Sequence, residues 1–237
     1  MVYREAGRGA PVVVISGLGL SGRFYDRSYE PFARAGLRLV VPDLPGFGGS
    51  RGAWLGQDVA ASRAFLLSFA DALGIDSAVW IGHSIGAQTA IDLAAHAPHR
   101  ARGIVLVGPT GAPGRPRALR QLAALAVEAT RAPLPVVLRV LSDYARTSPL
   151  VYGGTWLRFA RDHPLEKLRA VQCPAQVVIG SHDPVADAEL VELLLRRLPA
   201  AEAVRVAGGT HALPRSEAEQ FNAAVTDFCR RVVEGRW

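Results

Sequence analysis

The chain has 237 residues, enough for one large domain with a substantial core or for two small ones. Hydrophobic residues make up 49% of it and charged residues 20%, a balance typical of folded globular proteins and not of disordered chains. The net charge of +6 comes from 26 arginines and one lysine scattered along the sequence. Because no run of five or more like charges occurs, we expect no nucleic-acid-binding role.

The two cysteines, Cys173 and Cys229, form no C-x-x-C pattern and lie near no obvious cluster of metal ligands. We therefore interpret both as small buried apolar side chains and expect no metal site. The first residues lack the long apolar stretch of a signal peptide, and no apolar run approaches the roughly 20 residues that a membrane helix needs. These features predict a cytoplasmic protein with no membrane partner, and we expect a monomer or a homodimer.

Short apolar runs alternate with longer amphipathic stretches along the chain. The runs that predict strands are residues 2–6, 11–16, 37–42, 77–82, 103–108, 175–180 and 202–206. Helical spacing predicts helices over residues 57–73, 85–97, 186–198 and 216–233. Most strand runs lack polar alternation, so helices should cover both of their faces. The pattern predicts an α/β protein with a mostly parallel sheet of about seven strands.

Residues 110–170 interrupt this alternation. The segment has no convincing strand, starts with a Gly- and Pro-rich stretch, and shows helical spacing over residues 118–130 and 134–145. An insertion of this length between two strands is typical of a lid or cap over a site, and the alternative is a few extra helices packed on the sheet. We predict a core domain of residues 1–109 and 171–237 with a small helical cap formed by the insertion.

A G-x-S-x-G pattern surrounds Ser84, between a predicted strand and a predicted helix. In this setting the serine occupies a strained turn, its hydroxyl stands clear of the sheet, and the helix N-terminus supplies N–H groups. The same pattern surrounds Ser50, but no strand leads directly into it and no clear helix follows. We therefore interpret Ser84 as an activated nucleophile and Ser50 as a loop residue.

A serine nucleophile needs a base and a carboxylate that orients the base. Among six histidines, His211 lies in a Gly-rich loop after the last predicted strand, and Asp183 follows the strand before it. Because these strands are predicted to be parallel, both residues should reach the sheet edge that carries Ser84. Asp187 is the rival carboxylate, although it also suits the first turn of the next helix, where acidic residues are favoured.

Residues 17–22 match the G-x-G-x-x-G pattern of dinucleotide-binding proteins, and Asp43 follows at a suitable distance. The segment after the glycines is bulky and polar and meets Pro31 early, where a tight apolar helix would be needed. The same loop can instead supply the N–H of Leu18, which with the N–H of Ile85 would form an oxyanion hole. We prefer this second interpretation and keep dinucleotide binding as an alternative.

Together these motifs resemble those of the α/β-hydrolase superfamily, over residues 2–232. The chain order of Ser84, Asp183 and His211 is that of the superfamily, and residues 43–50 are similar to its D-x-P-G-x-G-x-S loop. The resemblance implies the α/β-hydrolase fold, with a serine nucleophile, an aspartate acid, a histidine base and two backbone oxyanion donors. One departure is Ser16, which precedes Gly17 where many relatives carry histidine.

The predicted reaction is acyl transfer to water through an acyl-enzyme, with no metal or organic cofactor. Aromatic residues and leucines in the insertion favour a small apolar substrate, so a carboxylic-ester hydrolase is our first choice. Candidates for the substrate pocket are His83, Tyr144 and Trp156. A C–C bond hydrolase, a thioesterase or a lactonase using the same triad is the alternative, and a ligand receptor without turnover is an alternative of another class.

Overall fold

The computed structural model describes the chain except for residues 53, 54, 112–116, 187 and 199, and it describes only the backbone of 117–122 and 188. Asp187, the rival for the orienting carboxylate, therefore lies outside the described residues.

Seven strands form one sheet in the order β1-β3-β2-β4-β5-β6-β7. Neighbouring strands are parallel except that β1 runs antiparallel to β3. The strands are β1 (Tyr3–Ala6), β2 (Ala10–Ile15), β3 (Leu37–Pro42), β4 (Ala78–His83), β5 (Ala101–Val107), β6 (Ala175–Gly180) and β7 (Ala201–Val206). The predicted sheet of seven mostly parallel strands is confirmed, with limits that differ by one or two residues.

The helices of the described residues lie between and around these strands. They are α1 (Tyr29–Arg34), α2 (Val59–Ala72), α3 (Gly86–His96), α4 (Arg117–Arg131), α5 (Leu134–Tyr144), α6 (Pro149–Phe159), α7 (Pro164–Lys167), α8 (Ala188–Arg197), α9 (Leu213–Ser216) and α10 (Ala218–Val233). Among the described residues, none of these helices has the length and apolar character needed to cross a membrane.

Each central strand is buried on both faces, which explains its continuous apolar sequence. In β2, Val13 and Ile15 pack on one side of the sheet with residues of α2, α3 and α8. Val12 and Val14 pack on the other side with residues of α1 and α10. Successive side chains of a strand point to opposite faces, so a strand between two helical layers favours apolar residues at successive positions.

Helix α3 approaches the sheet closely because its inward face is made of small residues. Ala87, Ala90 and Ala94 are buried at helical spacing against the core. This close packing fixes the start of α3 at the carboxyl end of β4, where the candidate nucleophile lies.

The 110–170 insertion lies between β5 and β6 and contains α4 to α7. Helices α4 and α5 match the predicted segments within one residue. Helix α6 was not predicted, because Gly153 and Gly154 are poor helix formers. Gly154 is required by packing, since a methyl group there would lie 2.0 Å from the carbonyl oxygen of Leu55. A separate cap domain formed by this insertion stays a prediction.

Candidate active site

Ser84 occupies the turn between β4 and α3. Its φ of 57° makes it the only non-glycine residue with positive φ in the described part of the chain. Such a backbone costs roughly 1–2 kcal/mol for an L-residue, so the surrounding structure must hold it. The Ser84 amide donates to the carbonyl of Val107 in β5 at 2.8 Å, which ties the turn to the neighbouring strand.

The glycines on both sides of Ser84 are required by close backbone contacts. A methyl group at Gly82 would lie 2.5 Å from the carbonyl oxygen of Gly86. One at Gly86 would lie 2.2 Å from the carbonyl oxygen of Ile15 in β2. Both distances are shorter than any real contact, so the G-x-S-x-G pattern follows from the packing of the strand, the turn and the helix.

The second G-x-S-x-G match has a different structure. Ser50 lies in a loop and is 6% exposed, and its Oγ accepts a hydrogen bond from the amide of Val2 at 2.9 Å. No strand precedes it directly. Ser50 thus fastens the N-terminal segment to the loop after β3, as the interpretation of a loop residue expects.

Asp183 and His211 form a hydrogen-bonded pair at the ends of two adjacent strands. Asp183 follows β6, and its Oδ2 lies 3.0 Å from Nδ1 of His211 in the loop after β7. Oδ1 accepts hydrogen bonds from the amides of Val185 at 2.7 Å and Ala186 at 3.0 Å. Because Nδ1 faces a carboxylate oxygen, it carries a hydrogen, which leaves Nε2 as the nitrogen that can accept a proton.

Electrostatics in this pair favour a charged imidazole. Burial acts against the charged form of both groups, raising the pKa of Asp183 and lowering that of His211. Their mutual attraction and hydrogen bond outweigh burial, so the pKa of Asp183 lies below its ordinary value and the pKa of His211 above its own. The charge of Glu128 adds to the rise for His211. The arrangement therefore stabilises the imidazolium that a general base forms.

Ser84 and His211 line the same small cavity, of about 50 Å³. Nε2 of His211 is buried and has no hydrogen-bond partner among the described residues. Ser84, with its strained backbone, and His211, whose Nε2 has no hydrogen-bond partner, thus line the same cavity. In apo structures a nucleophile and its base are often further apart than in the reacting complex.

His83 lies beside Ser84 and is 2% exposed. Its Nε2 is 3.0 Å from the carbonyl oxygen of His211, and its Nδ1 is 3.1 Å from the hydroxyl of Tyr25. A carbonyl only accepts, so Nε2 donates to it and Nδ1 accepts from Tyr25. Burial lowers the pKa of His83 to about 3, with the charge of His211 adding to the fall, so the ring is neutral. His83 therefore lines the cavity and also links β4 to the loop that carries the base.

The rest of the cavity wall is largely apolar. Tyr144 and Trp156, both predicted as pocket residues, line it together with Tyr152. The rings of Tyr144 and Tyr152 meet edge to face with centroids 5.1 Å apart. Among the described lining residues, His211 is the only one whose side chain can be charged near neutral pH. The remaining apolar part of the wall comprises Leu18, Leu20, Ile85, Leu125 and Val185.

The predicted oxyanion donors lie beside the nucleophile. Leu18 and Ile85 both line the cavity, and Ile85 is the residue before α3. Within the described part of the chain, neither amide donates to a backbone carbonyl. Their action on a developing oxyanion stays a prediction.

Side chains cover the glycine run after β2. A methyl group at Gly19 would lie 2.9 Å from ring carbons of Tyr144. Asp43 accepts hydrogen bonds from the amides of Gly22 at 2.7 Å and Gly49 at 2.8 Å, and the α-helix that follows has six residues. A dinucleotide site needs an open loop, a carboxylate available to the ribose and a helix that opens at the phosphates. The geometry thus gives dinucleotide binding no support.

In the described part of the chain, no group of three or more His, Cys, Asp or Glu side chains is arranged to hold a metal ion. Cys173 and Cys229 are free and buried, and burial raises the pKa of Cys173 to about 11. Both thiols are therefore protonated at neutral pH and unsuited to act as ligands or nucleophiles.

Three residues that shape the site were not identified from the sequence. Gly108, after β5, leaves room for the Asp183–His211 pair. Asp143 in α5 is fully buried, and its carboxylate accepts hydrogen bonds from the amide and hydroxyl of Ser21 at 3.1 and 2.9 Å. Glu128 in α4 accepts hydrogen bonds from the backbone amides of His211 and Ala212, in the loop after β7. For Asp143 and Glu128 the sequence shows only an acidic residue in an amphipathic helix, and such a residue more often lies on the solvent-exposed face.

Comparison with known proteins places the chain among hydrolases. A sequence profile described as the alpha/beta hydrolase family matches residues 12–224. A 2-hydroxy-6-oxo-6-phenylhexa-2,4-dienoate hydrolase from Burkholderia cepacia is 34% identical over 111 residues, which are 45% of this chain and 39% of that protein. The chain thus matches less than half the length of this relative. A 2-hydroxy-6-oxononadienedioate/2-hydroxy-6-oxononatrienedioate hydrolase from Burkholderia vietnamiensis is 28% identical over 260 aligned residues, 97% of this chain and 90% of that protein.

Among solved structures, the enol-lactonase from Burkholderia xenovorans LB400 matches with a TM-score of 0.84 at 20% identity. The match covers 96% of this chain and 95% of that chain. At this level of identity the likeness concerns the fold, and it confirms the fold that the sequence predicts.

Proposed function

The chain belongs to the alpha/beta hydrolase family, and from this premise we propose that it hydrolyses a small, apolar carboxylic ester through Ser84, His211 and Asp183. The observation that carries the proposal is the Asp183–His211 hydrogen bond of 3.0 Å, with Nε2 of His211 unengaged at the cavity of the strained Ser84. A base that is oriented by a carboxylate and lines the same cavity as a partly exposed serine is the arrangement that nucleophilic acyl transfer requires.

In the proposed mechanism Oγ of Ser84 attacks the ester carbonyl carbon while Nε2 of His211 takes the hydroxyl proton. Asp183 stabilises the resulting imidazolium and holds its orientation. The amides of Leu18 and Ile85 bind the negative oxygen of the tetrahedral intermediate, and one such donor is worth ~3 kcal/mol. The imidazolium then donates its proton to the leaving alkoxide, and the alcohol departs.

Deacylation repeats these steps with water. His211 takes a proton from water as its oxygen attacks the acyl carbon, and a second tetrahedral intermediate forms. Its collapse breaks the bond to Oγ of Ser84, which receives the proton back from His211. The products are a carboxylic acid and an alcohol, and the enzyme returns to its starting state.

The cavity supports a small neutral acyl group. Its volume of about 50 Å³ is well below the roughly 150 Å³ of an engineered protein cavity that binds benzene. The ring pair of Tyr144 and Tyr152, both from the insertion, forms part of its wall. Because no described lining residue is an arginine or a lysine and His211 is already paired with Asp183, a substrate carboxylate would be buried without a counter-charge of its own, at a cost of several kcal/mol.

A C–C bond hydrolase is the second candidate, favoured by the two curated relatives that act on 2-hydroxy-6-oxo acids. Those compounds are named as carboxylates, and the lack of an arginine or lysine among the described lining residues is the reason that we place this candidate second. A lactonase uses the same steps on a cyclic ester, and the enol-lactonase shares the fold.

A substrate panel tests the proposal. We expect hydrolysis of short-chain p-nitrophenyl esters by the wild type, no hydrolysis by Ser84→Ala, and wild-type rates for the matched control Ser50→Ala. The panel includes a thioester, a lactone and a 2-hydroxy-6-oxo-dienoate. Turnover of the dienoate at more than ~100 times the kcat/KM of every ester would overturn the ester proposal in favour of the C–C candidate. Binding of panel members without any turnover would instead indicate a receptor.

A further inference from the structure

A carboxylate from the insertion holds the backbone of the candidate base. Glu128 lies on α4 and is 8% exposed. Its Oε2 accepts a hydrogen bond from the amide of His211 at 3.0 Å, and its Oε1 accepts from the amide of Ala212 at 3.2 Å. The two oxygens of one side chain therefore bind two successive amides of the loop after β7.

Glu128 is positioned for this contact by the same helix face that closes the cavity. Leu125, three residues earlier on α4, lines the cavity with Ser84. Residues three apart share a helix face, so the placement of α4 over the cavity brings the carboxylate to the base loop. Burying a carboxylate costs several kcal/mol unless hydrogen bonds compensate, and here the compensation comes from amides of the site itself.

His211 is thus held at three points. Glu128 accepts from its amide, Nε2 of His83 donates to its carbonyl oxygen at 3.0 Å, and Asp183 accepts from its ring Nδ1. The titratable groups that face it are the carboxylates of Glu128 and Asp183 and the neutral ring of His83. Arg131, three residues further along α4, donates to the carbonyl oxygen of His182 at 3.3 Å and lines a second pocket together with Asp183.

We propose that Glu128 is a positioning residue for the base: it fixes the backbone of His211 and places a second negative charge beside the imidazolium formed during the reaction. The inference rests on the proposed function, because a base has a role only where Ser84 reacts. Glu128 touches no reacting atom. It acts only by holding His211 in position and by stabilising the charged form of its ring. Catalysis therefore depends on the packing of α4 against the loop after β7.

A related contact supports this view of the insertion. Asp143 on α5 binds the amide and hydroxyl of Ser21, in the loop that also carries Leu18. The insertion therefore contacts both the loop of His211 and the loop of Leu18, each through one buried carboxylate that accepts two hydrogen bonds from that loop.

The test compares Glu128→Gln with the wild type and with Glu192→Gln, a control on the exposed surface of α8. Three quantities are measured: the pH at which the His211 imidazole titrates by NMR, the acid limb of kcat/KM, and kcat on a short-chain ester. Loss of a negative charge destabilises the imidazolium, so both the titration and the acid limb of Glu128→Gln should move to lower pH. Misplacement of the base should lower kcat about 10- to 100-fold with KM nearly unchanged, whereas Glu192→Gln should match the wild type in all three.

A folded Glu128→Gln protein with the wild-type titration and kcat would overturn the inference. If a thermal melt shows that Glu128→Gln does not fold, Glu128→Asp is used to test the inference instead. It keeps the charge but is too short to reach both amides, so we expect a reduced kcat with an unmoved acid limb, and a wild-type kcat would overturn the inference. A wild type that hydrolyses no ester would refute the proposed function instead, while the NMR titration would still test the contact between Glu128 and His211.

Discussion

A methyl group at position 108 would lie 2.8 Å from Nδ1 of His211 and 3.0 Å from Oδ2 of Asp183. Gly108 also has a φ of 50°, so an alanine there is both strained and in collision with the hydrogen-bonded pair. We expect Gly108→Ala to lower kcat/KM at least ~100-fold, because a small displacement of a catalytic group has an effect of this size.

Gly74 supplies the matched control for Gly108. Its φ is 65°, but a methyl group there would meet nothing within 4 Å. Gly74→Ala should therefore lose about 1 kcal/mol of unfolding free energy through backbone strain and keep its wild-type kcat. Equal loss of activity in the two variants would show that strain, and not collision with the pair, causes the defect.

The charge of Asp183 predicts a pH effect at His211. Because the carboxylate raises the pKa of the imidazole, the acid limb of kcat/KM in the wild type should lie above the ordinary pKa of histidine. In Asp183→Asn the imidazolium loses this attraction, so the acid limb should move to lower pH while kcat falls ~10⁴-fold. A pH–rate profile of both proteins measures this, and an acid limb that stays in place would contradict the assigned role of Asp183.

At the scale of elements, α5 is fastened to the loop after β2 by one buried carboxylate. Asp143→Leu keeps the approximate size of the side chain but offers no acceptor, so both hydrogen bonds to Ser21 are lost and its amide and hydroxyl lose this buried partner. We expect a loss of about 3 kcal/mol in unfolding free energy, measured by urea denaturation. The exposed control Asp76→Leu should change it by less than about 0.5 kcal/mol. Equal losses of unfolding free energy in the two variants would contradict the structural role of Asp143.

Tyr152 of α6 lines the cavity, so under the proposed function we expect its ring to limit the length of the acyl group. Tyr152→Ala removes one of the two rings that close the cavity, so longer acyl chains should gain access. We expect the ratio of kcat/KM for an octanoyl over an acetyl p-nitrophenyl ester to rise at least ~10-fold. Leu150→Ala, on the same helix but 69% exposed, is the control and should leave the ratio unchanged. An unchanged ratio in Tyr152→Ala would show that the acyl group does not bind against Tyr152.

At the scale of the whole molecule, the sequence predicts the sheet and the strand ends with little error. Apolar runs and turn residues are local signals, and parallel pairing brings the residues after β4, β6 and β7 to one edge. Ser84, Asp183 and His211 could be named for this reason. Ser84 and His211 line one cavity and Asp183 is hydrogen-bonded to His211, an arrangement that required only that the strands be parallel.

The contacts from the insertion could not be predicted in this way. Glu128 and His211 are 83 residues apart, and Asp143 and Ser21 are 122 residues apart. Neither acidic residue belongs to a local pattern, and each is buried only because its helix docks over the sheet edge. Helix α6 was missed for a related reason, since Gly154 reflects a close approach to Leu55 and not local helix propensity.

The central claim is that Ser84 is the reactive nucleophile, and covalent labelling tests it most directly. A fluorophosphonate reacts with activated serines, and intact-mass analysis counts the adducts on each chain. We predict one adduct on the wild type and on Ser50→Ala, and none on Ser84→Ala. An adduct that persists on Ser84→Ala, or a folded wild type that takes no label, would contradict the account.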